Sequence, residues 1–245
     1  MLVRAEVELA FVGVQTAFFR DVLAHDLLHR CLVRNGNMIA AAGLDPKKDV
    51  SWVPVGDGVQ AMTALKNGTV AGLILWDTAY AVIENAGTKL KYLTFPFQEN
   101  LVGFTMFSTE EKIAKQRPKL IRFLRALAKG QVFERANPEA AACIYMQVTG
   151  KLEASKDLAK ELSDFANISR ADAESNGVRP GDKLFGWYPK DKMEFTQEYY
   201  LKQKLLDRVI PVENYYVSDP EFYKEISNFD PEEVTKEAMN YPKCK

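Results

Sequence analysis

The apolar positions of this chain follow two patterns, one before about residue 108 and one after it. Near the start, Val7, Leu9 and Phe11 alternate with Glu8 and Ala10, the spacing of a short strand. An amphipathic pattern then runs from about Ala17 toward Ala42 and predicts a helix that breaks near Asn35-Gly36-Asn37. Ala41-Ala42-Gly43 closes that helix, and Asp45-Pro46 turns the chain into an extended segment from Val50 to Val55. Gly56-Asp57-Gly58 opens a second helix with Val59, Met62 and Leu65 on one face, ending at Asn67-Gly68. Val70 to Leu75 is a nearly continuous apolar run of the buried-strand type. A short helix from Thr78 to Ala86 stops at Gly87, and Lys89 to Leu93 and Gly103 to Phe107 are two further candidate strands. Strand and helix in alternation predict an α/β layer with a mostly parallel sheet.

Beyond Ser108 the period changes to that of helices. Ser108 or Thr109, followed by Glu110 and Glu111, marks a helix start, and Pro118 begins or kinks the next stretch. Leu120, Phe123, Leu124 and Leu127 form its apolar stripe. Asn137-Pro138-Glu139 caps a helix reaching Gln147, and Leu152 to Phe165 is another amphipathic stretch. Ser175 to Asp182 reads as a turn-rich linker and Met193 to Val209 as a helix. Asp219-Pro220 and Asp230-Pro231 each open a short capped helix.

Composition narrows the functional classes. With 32 basic and 33 acidic side chains the net charge is −1, so nothing draws the chain generally toward nucleic acid or an anionic membrane. No stretch reaches the roughly 18 consecutive apolar residues of a membrane-spanning helix. The apolar run from Leu9 to Val14 is preceded by Glu6 and Glu8 and followed by no small-residue cleavage pattern, so it reads poorly as a secretory signal. The three cysteines, Cys31, Cys143 and Cys244, make no CxxC pair and leave one over in any pairing. Scattered reduced thiols are the expectation, with neither a disulfide framework nor a zinc site.

Candidate chemistry is sparse. His25-Asp26-Leu27-Leu28-His29 puts the only two histidines one helical turn apart, as in HExxH metallopeptidases. Asp26 stands in place of the glutamate base, with its carboxylate about 1.5 Å shorter in reach, so a surface helix is the expected reading and no metal is assigned. Gly56-Asp57-Gly58-Val59-Gln60-Ala61 fits G-x-G-x-x-A between a strand and a helix. Asp57 would sit where a pyrophosphate must approach, and too few strand–helix units follow, so no nucleotide cofactor is expected. The same turn reads either as a plain helix cap or as a helix N-terminus offering N–H groups to a small polar ligand. Trp76-Asp77 ends the apolar strand, where an indole and a carboxylate can stack on a flat ligand and bond its polar end, or can simply cap core and helix. No serine or cysteine nucleophile with a base and no phosphate-binding Walker loop is present.

The run from Ala41 to Tyr80, AAGLDPKKDVSWVPVGDGVQAMTALKNGTVAGLILWDTAY, resembles the second lobe of the nitrate/sulfonate/taurine-type substrate-binding proteins of ABC importers. The matching pieces are Ala41 to Pro46, Val53 to Gly56, Ala64 to Gly68 and Val70 to Trp76. Gly103-Phe104, Pro118 through Phe123, Asn137 to Ala141 and Val209-Ile210-Pro211-Val212 extend the likeness over about residues 32 to 235. The resemblance implies a periplasmic-binding-protein-like second lobe, mostly parallel sheet with flanking helices, followed by a helical C-terminal half. It divides the chain into an unassigned strand and helix over 1–31, an α/β lobe over 32–108, and a helical region over 109–245 that would normally pack on the first lobe.

That first lobe is missing from the pattern. Two lobes would run on the order of three hundred residues, above the usual single-core size. A mis-assigned or truncated start is the favoured explanation, beside a half-protein completed by another chain and a degenerate gene product. The function implied is binding of a small polar organic solute (a sulfonate, taurine, nitrate or a nitrogen-containing ring compound) without covalent chemistry or cofactor. Gly56, Asp57, Gly58, Trp76 and Asp77 are the implied ligand-binding residues. Two carboxylates near one cleft favour a ligand with an amine or ring nitrogen over a bare anion. The implied partners are the solute and the permease subunits, with membrane contact only through the permease. A periplasmic location is implied by the resemblance, whereas the chain as it starts, with no secretion signal, reads as cytoplasmic. Apolar helix faces left uncovered after Ser108 would allow a homodimer, and a half-protein interaction module is a further alternative. An enzyme of thiamine-pyrimidine synthesis shares the fold, but those relatives carry a histidine- and cysteine-rich segment that this chain lacks.

Overall fold

The computed structural model describes residues 7–11, 36, 38–93, 100–102, 105–175, 184–202, 204 and 206–244. They group into two units, residues 1–98 with 199–208, and residues 99–198 with 209–245.

The first unit is built on three parallel strands, β1 (Val7–Phe11), β2 (Val50–Pro54) and β3 (Gly72–Ile74), in the order β2-β1-β3. Val7 faces Val50 and Phe11 faces Pro54 on one side of β1, while Leu9 faces Gly72 and Phe11 faces Ile74 on the other. The strand at the chain start, outside the stretch that carries the family likeness, is therefore the middle of the sheet. Helix α1 (Gly58–Lys66) connects β2 to β3, and α2 (Asp77–Asn85) follows β3. The entry to β2 is set by the Trp52 indole N–H, which donates to the Pro46 carbonyl at 3.0 Å and holds the Asp45-Pro46 turn against its strand. Gly68, at φ +69°, lets the chain leave α1 through a left-handed residue and enter β3. Val50, Ala61, Val70, Ala79, Ala81 and Ile83 are buried, and three alanines among six core residues allow the helices to approach closely.

The sheet is smaller than the apolar pattern predicts. The run from Val70 to Leu75 is strand only over Gly72–Ile74, and residues 89–93 and 105–107 are irregular, with 103 and 104 outside the described residues. Met106 and Phe107 are exposed, and Tyr92 turns its ring edge-on to Tyr80 at 5.5 Å. An apolar run forms a strand only where a neighbour completes its backbone hydrogen bonds, and the described residues supply none there. The chain is mostly helical, with a small parallel sheet. Of the helix expected from Ala17 to Ala42, only its end near residues 38–41 falls among the described residues, and His25, Asp26 and His29 lie outside them.

The second unit is helical. Helix α3 (Glu110–Ala136) begins at Thr109, whose Oγ1 accepts from the Lys112 N–H at 3.3 Å. It bends at Gln116, which leaves helical geometry two residues before Pro118, because proline supplies no N–H and crowds the preceding turn. Asn137 then serves two elements. Its Oδ1 accepts from the Ala140 N–H to cap α4 (Pro138–Val148), and its Nδ2 donates to the Ala238 carbonyl at 2.8 Å. The predicted helix from Leu152 to Phe165 is two, α5 (Lys151–Ala154) and α6 (Leu158–Ser175), restarted where the Asp157 carboxylate accepts from the Lys160 N–H. Helix α7 (Lys190–Lys202) stops short of Val209, and residues 176–182 of the expected linker are outside the described residues. Asp219 and Asp230 cap α8 (Pro220–Ile226) and α9 (Pro231–Met239) as their Asp-Pro pairs predict. Ile121, Ala128, Phe185, Phe222, Tyr223 and Ile226 form the core of this unit. No described helix is long and apolar enough to cross a membrane.

The expectation of reduced thiols is corrected here, since Cys143 and Cys244 are joined in a disulfide with their Cα atoms 5.7 Å apart. An odd cysteine count leaves one residue over but does not forbid a single pair, and spacing along the chain carries no information about a contact 101 residues long. Cys31 lies outside the described residues.

The segment after α7 is held by one buried polar side chain. Gln197, 7% exposed, donates from Nε2 to the Ile210 carbonyl and accepts at Oε1 from the Ile210 N–H, both at 2.8 Å. Gln197→Met, close in shape but unable to make either bond, is expected to cost about 1–3 kcal/mol by removing both hydrogen bonds to the Ile210 backbone, measured as a lower urea midpoint.

Candidate functional site

Parallel strands end at a common edge, and the loops that leave it are the natural ligand positions of an open α/β sheet. In the order β2-β1-β3 the chain passes from β1 to β2 on one side and then across to β3 on the other. The loops after β2 and β3 thus flank the end of β1, two strand spacings or about 9–10 Å apart. All five residues singled out from the sequence lie on these two loops.

Gly56 and Gly58 take φ +74° and +51°, left-handed values that glycine adopts without a Cβ penalty. A Cβ on Gly56 would run into Gln60 Oε1, and one on Gly58 would reach 3.7 Å from Val82 of α2. The Gly-Asp-Gly turn is therefore a conformational requirement of the β2–α1 junction. Asp57 occupies the N-cap of α1, is exposed, and makes no side-chain capping bond, so its carboxylate projects at a helix N-terminus without being used by that helix. Only the Asp57 carbonyl engages the first turn, accepting from the Gln60 and Ala61 N–H groups.

On the other loop, Trp76 lies two residues beyond the strand and is the N-cap of α2, half-buried, while Asp77 is the first helical residue and exposed. Asp77 does not cap the helix from outside, as the plain reading of the motif held. The loop is fixed by a residue that pattern reasoning passed over. Tyr80 accepts the Leu75 N–H at its hydroxyl at 2.8 Å and donates to the Leu73 carbonyl at 3.1 Å. Trp76 is thereby set between a strand end and a helix turn tied to each other. Burial pushes the Tyr80 hydroxyl above its ordinary range, the Leu75 N–H opposes that, and the nearby Asp77 charge adds to it. Tyr92, stacked edge-on against Tyr80, hydrogen-bonds Glu84 and is pushed up to about 12, first by burial and then by that carboxylate. Both hydroxyls therefore stay protonated through neutral pH. Tyr80 follows Trp76 by one helical turn, a spacing that could have pointed to it; Tyr92 fell in a segment read as strand.

Asp57 and Asp77 put one exposed carboxylate on each side of this edge. Among the described residues no group of three His, Cys, Asp or Glu side chains is placed to hold a metal ion. The edge offers an indole, two tyrosine rings, carboxylates and a helix N-terminus, groups able to hold a flat or polar molecule.

Residues 34–141 match the family model described as NMT1/THI5 like. Over this segment the chain is similar to the family of nitrate/sulfonate/taurine-type substrate-binding proteins of ABC importers. The NMT1/THI5-like segment takes in β2, α1, β3, α2, α3 and the first residues of α4, and with them every residue of both site loops. Strand β1 precedes it. Among curated proteins and among solved structures no match to this chain is found. The match supports a solute-binding type in general terms.

Tyr80→Phe keeps the ring but strands the Leu75 N–H and Leu73 carbonyl. A loss of about 1–3 kcal/mol is expected, together with a blue or red shift of Trp76 fluorescence as its loop loosens; an unchanged urea midpoint and spectrum would remove Tyr80 from its anchoring role.

Proposed function

We propose that the protein binds a small polar organic solute at the carboxyl edge of its parallel sheet and delivers it to the permease subunits of an ABC importer. What carries this reading is the NMT1/THI5-like match, whose residues include both loops of the candidate site. Gly56 to Gly58 offer backbone N–H groups at the start of α1, Trp76 offers a stacking face, and Asp57 and Asp77 select among solutes. The two carboxylates, Asp57 and Asp77, favour a solute with an amine or ring nitrogen over bare nitrate or sulfonate. Discrimination of this kind is worth about 1–3 kcal/mol for each buried group left unpaired.

Binding without covalent chemistry also fits the supply of donors. The chain has two histidines and three cysteines, and Cys143 and Cys244 are spent on each other, so the iron-handling set of the thiamine-pyrimidine enzymes has few candidates left. A working place outside the cytosol, in the periplasm, is part of the proposal and is supported by that disulfide.

Thermal melting with taurine, alkyl sulfonates, nitrate, ureides, aromatic carboxylates and pyrimidines tests the reading. One solute at about 100 times its Kd is expected to raise Tm by roughly 5–10 °C and to be recovered unchanged, and Trp76→Ala is expected to abolish the shift. No shift with any solute would overturn solute binding, turnover would overturn binding without chemistry, and a shift that survives Trp76→Ala would move the site elsewhere.

A further inference from the structure

We infer that the Cys143–Cys244 bond is a structural staple, the covalent part of the attachment that holds the C-terminal helix and tail to their unit. Helix α9 is nine residues long and buries only Val234 and Ala238. A helix shorter than about 12–15 residues does not persist by itself in water, so α9 exists because something holds it in place. Helix α9 packs along α3, and two side-chain contacts add to that packing. The Asn137 side-chain amide donates to the Ala238 carbonyl at 2.8 Å, and the Tyr241 ring meets Phe133 edge-on at 5.7 Å. Phe133, Asn137 and Cys143 follow one another from the end of α3 into α4, so the ring contact, the amide bond and the disulfide act on a single stretch of the helical unit.

The bond is placed to last. Cys143 is 2% exposed and lies among the buried residues Ala140, Ala142 and Met146 of α4, which shields its sulfur from an attacking thiolate. The partners are 101 residues apart, and a cross-link over a loop that long removes more freedom from the unfolded chain than one over a short loop. Forming it takes two electrons and two protons from the thiols. A thiol oxidoreductase in its disulfide form accepts them and leaves as the dithiol, the chemistry of an oxidising compartment. The staple does not depend on which solute is bound, or on whether one is.

The test uses the full chain refolded in a glutathione redox buffer, blocked with iodoacetamide and digested without reductant. Peptides carrying Cys143 and Cys244 are expected to be joined and Cys31 to be alkylated. Complete reduction with dithiothreitol is expected to lower Tm by roughly 5–10 °C. Cys244→Ser, at a half-buried position that tolerates the change, is expected to melt where the reduced protein does and to ignore dithiothreitol. Alkylation of both Cys143 and Cys244, a bond from either to Cys31, or a Tm indifferent to reduction would each overturn the staple.

Discussion

The first unit depends on the pairing of Val7–Phe11 with two neighbours at once. Strands β2 and β3 do not touch each other in the order β2-β1-β3, so the distance and direction between the loops that leave them are set by β1 together with the packing of α1 on α2. A three-residue strand such as β3 has too few backbone bonds to hold its place without a partner. Without the middle strand, Gly56-Asp57-Gly58 and Trp76-Asp77 would be two separate helix starts. With it they are two lips of one edge, a candidate site within the residues that carry the family likeness.

Local signals carried most of the helices and both site loops. Asn137-Pro138, Asp219-Pro220 and Asp230-Pro231 each specify a helix start chemically, through a side-chain acceptor followed by a residue that needs no N–H partner, and each starts a helix in the structure. Gly56 and Gly58 read correctly as a turn because their backbone values demand glycine. What local pattern could not carry was pairing. The alternation at Val7, Leu9 and Phe11 marked a strand but not its place at the centre of the sheet. The apolar runs at 89–93 and 105–107 looked equally strand-like and found no partner among the described residues.

The same limit explains the other misses. Tyr80 anchors the Trp76 loop through two bonds to backbone five and seven residues away, a relation that exists only once strand and helix have met. Gln197 serves Ile210, and Cys143 finds Cys244, through contacts that no spacing rule reports. In each case a residue with an unremarkable local role, a helix tyrosine, a helix glutamine, a core cysteine, takes its real function from a distant piece of backbone or sulfur. The site is therefore readable in its loops and hidden in its supports.

The placement of β1 can be examined directly by amide hydrogen exchange on the unmodified chain, resolved to residues 7–11 by mass spectrometry. A central parallel strand has its N–H groups engaged by neighbours on both sides, so these amides are expected to exchange as slowly as those of Val50 to Val53 and Gly72–Ile74. Exchange of residues 7–11 at the rate of an unstructured peptide, while 50–53 and 72–74 stay protected, would contradict the sheet and the site built on it.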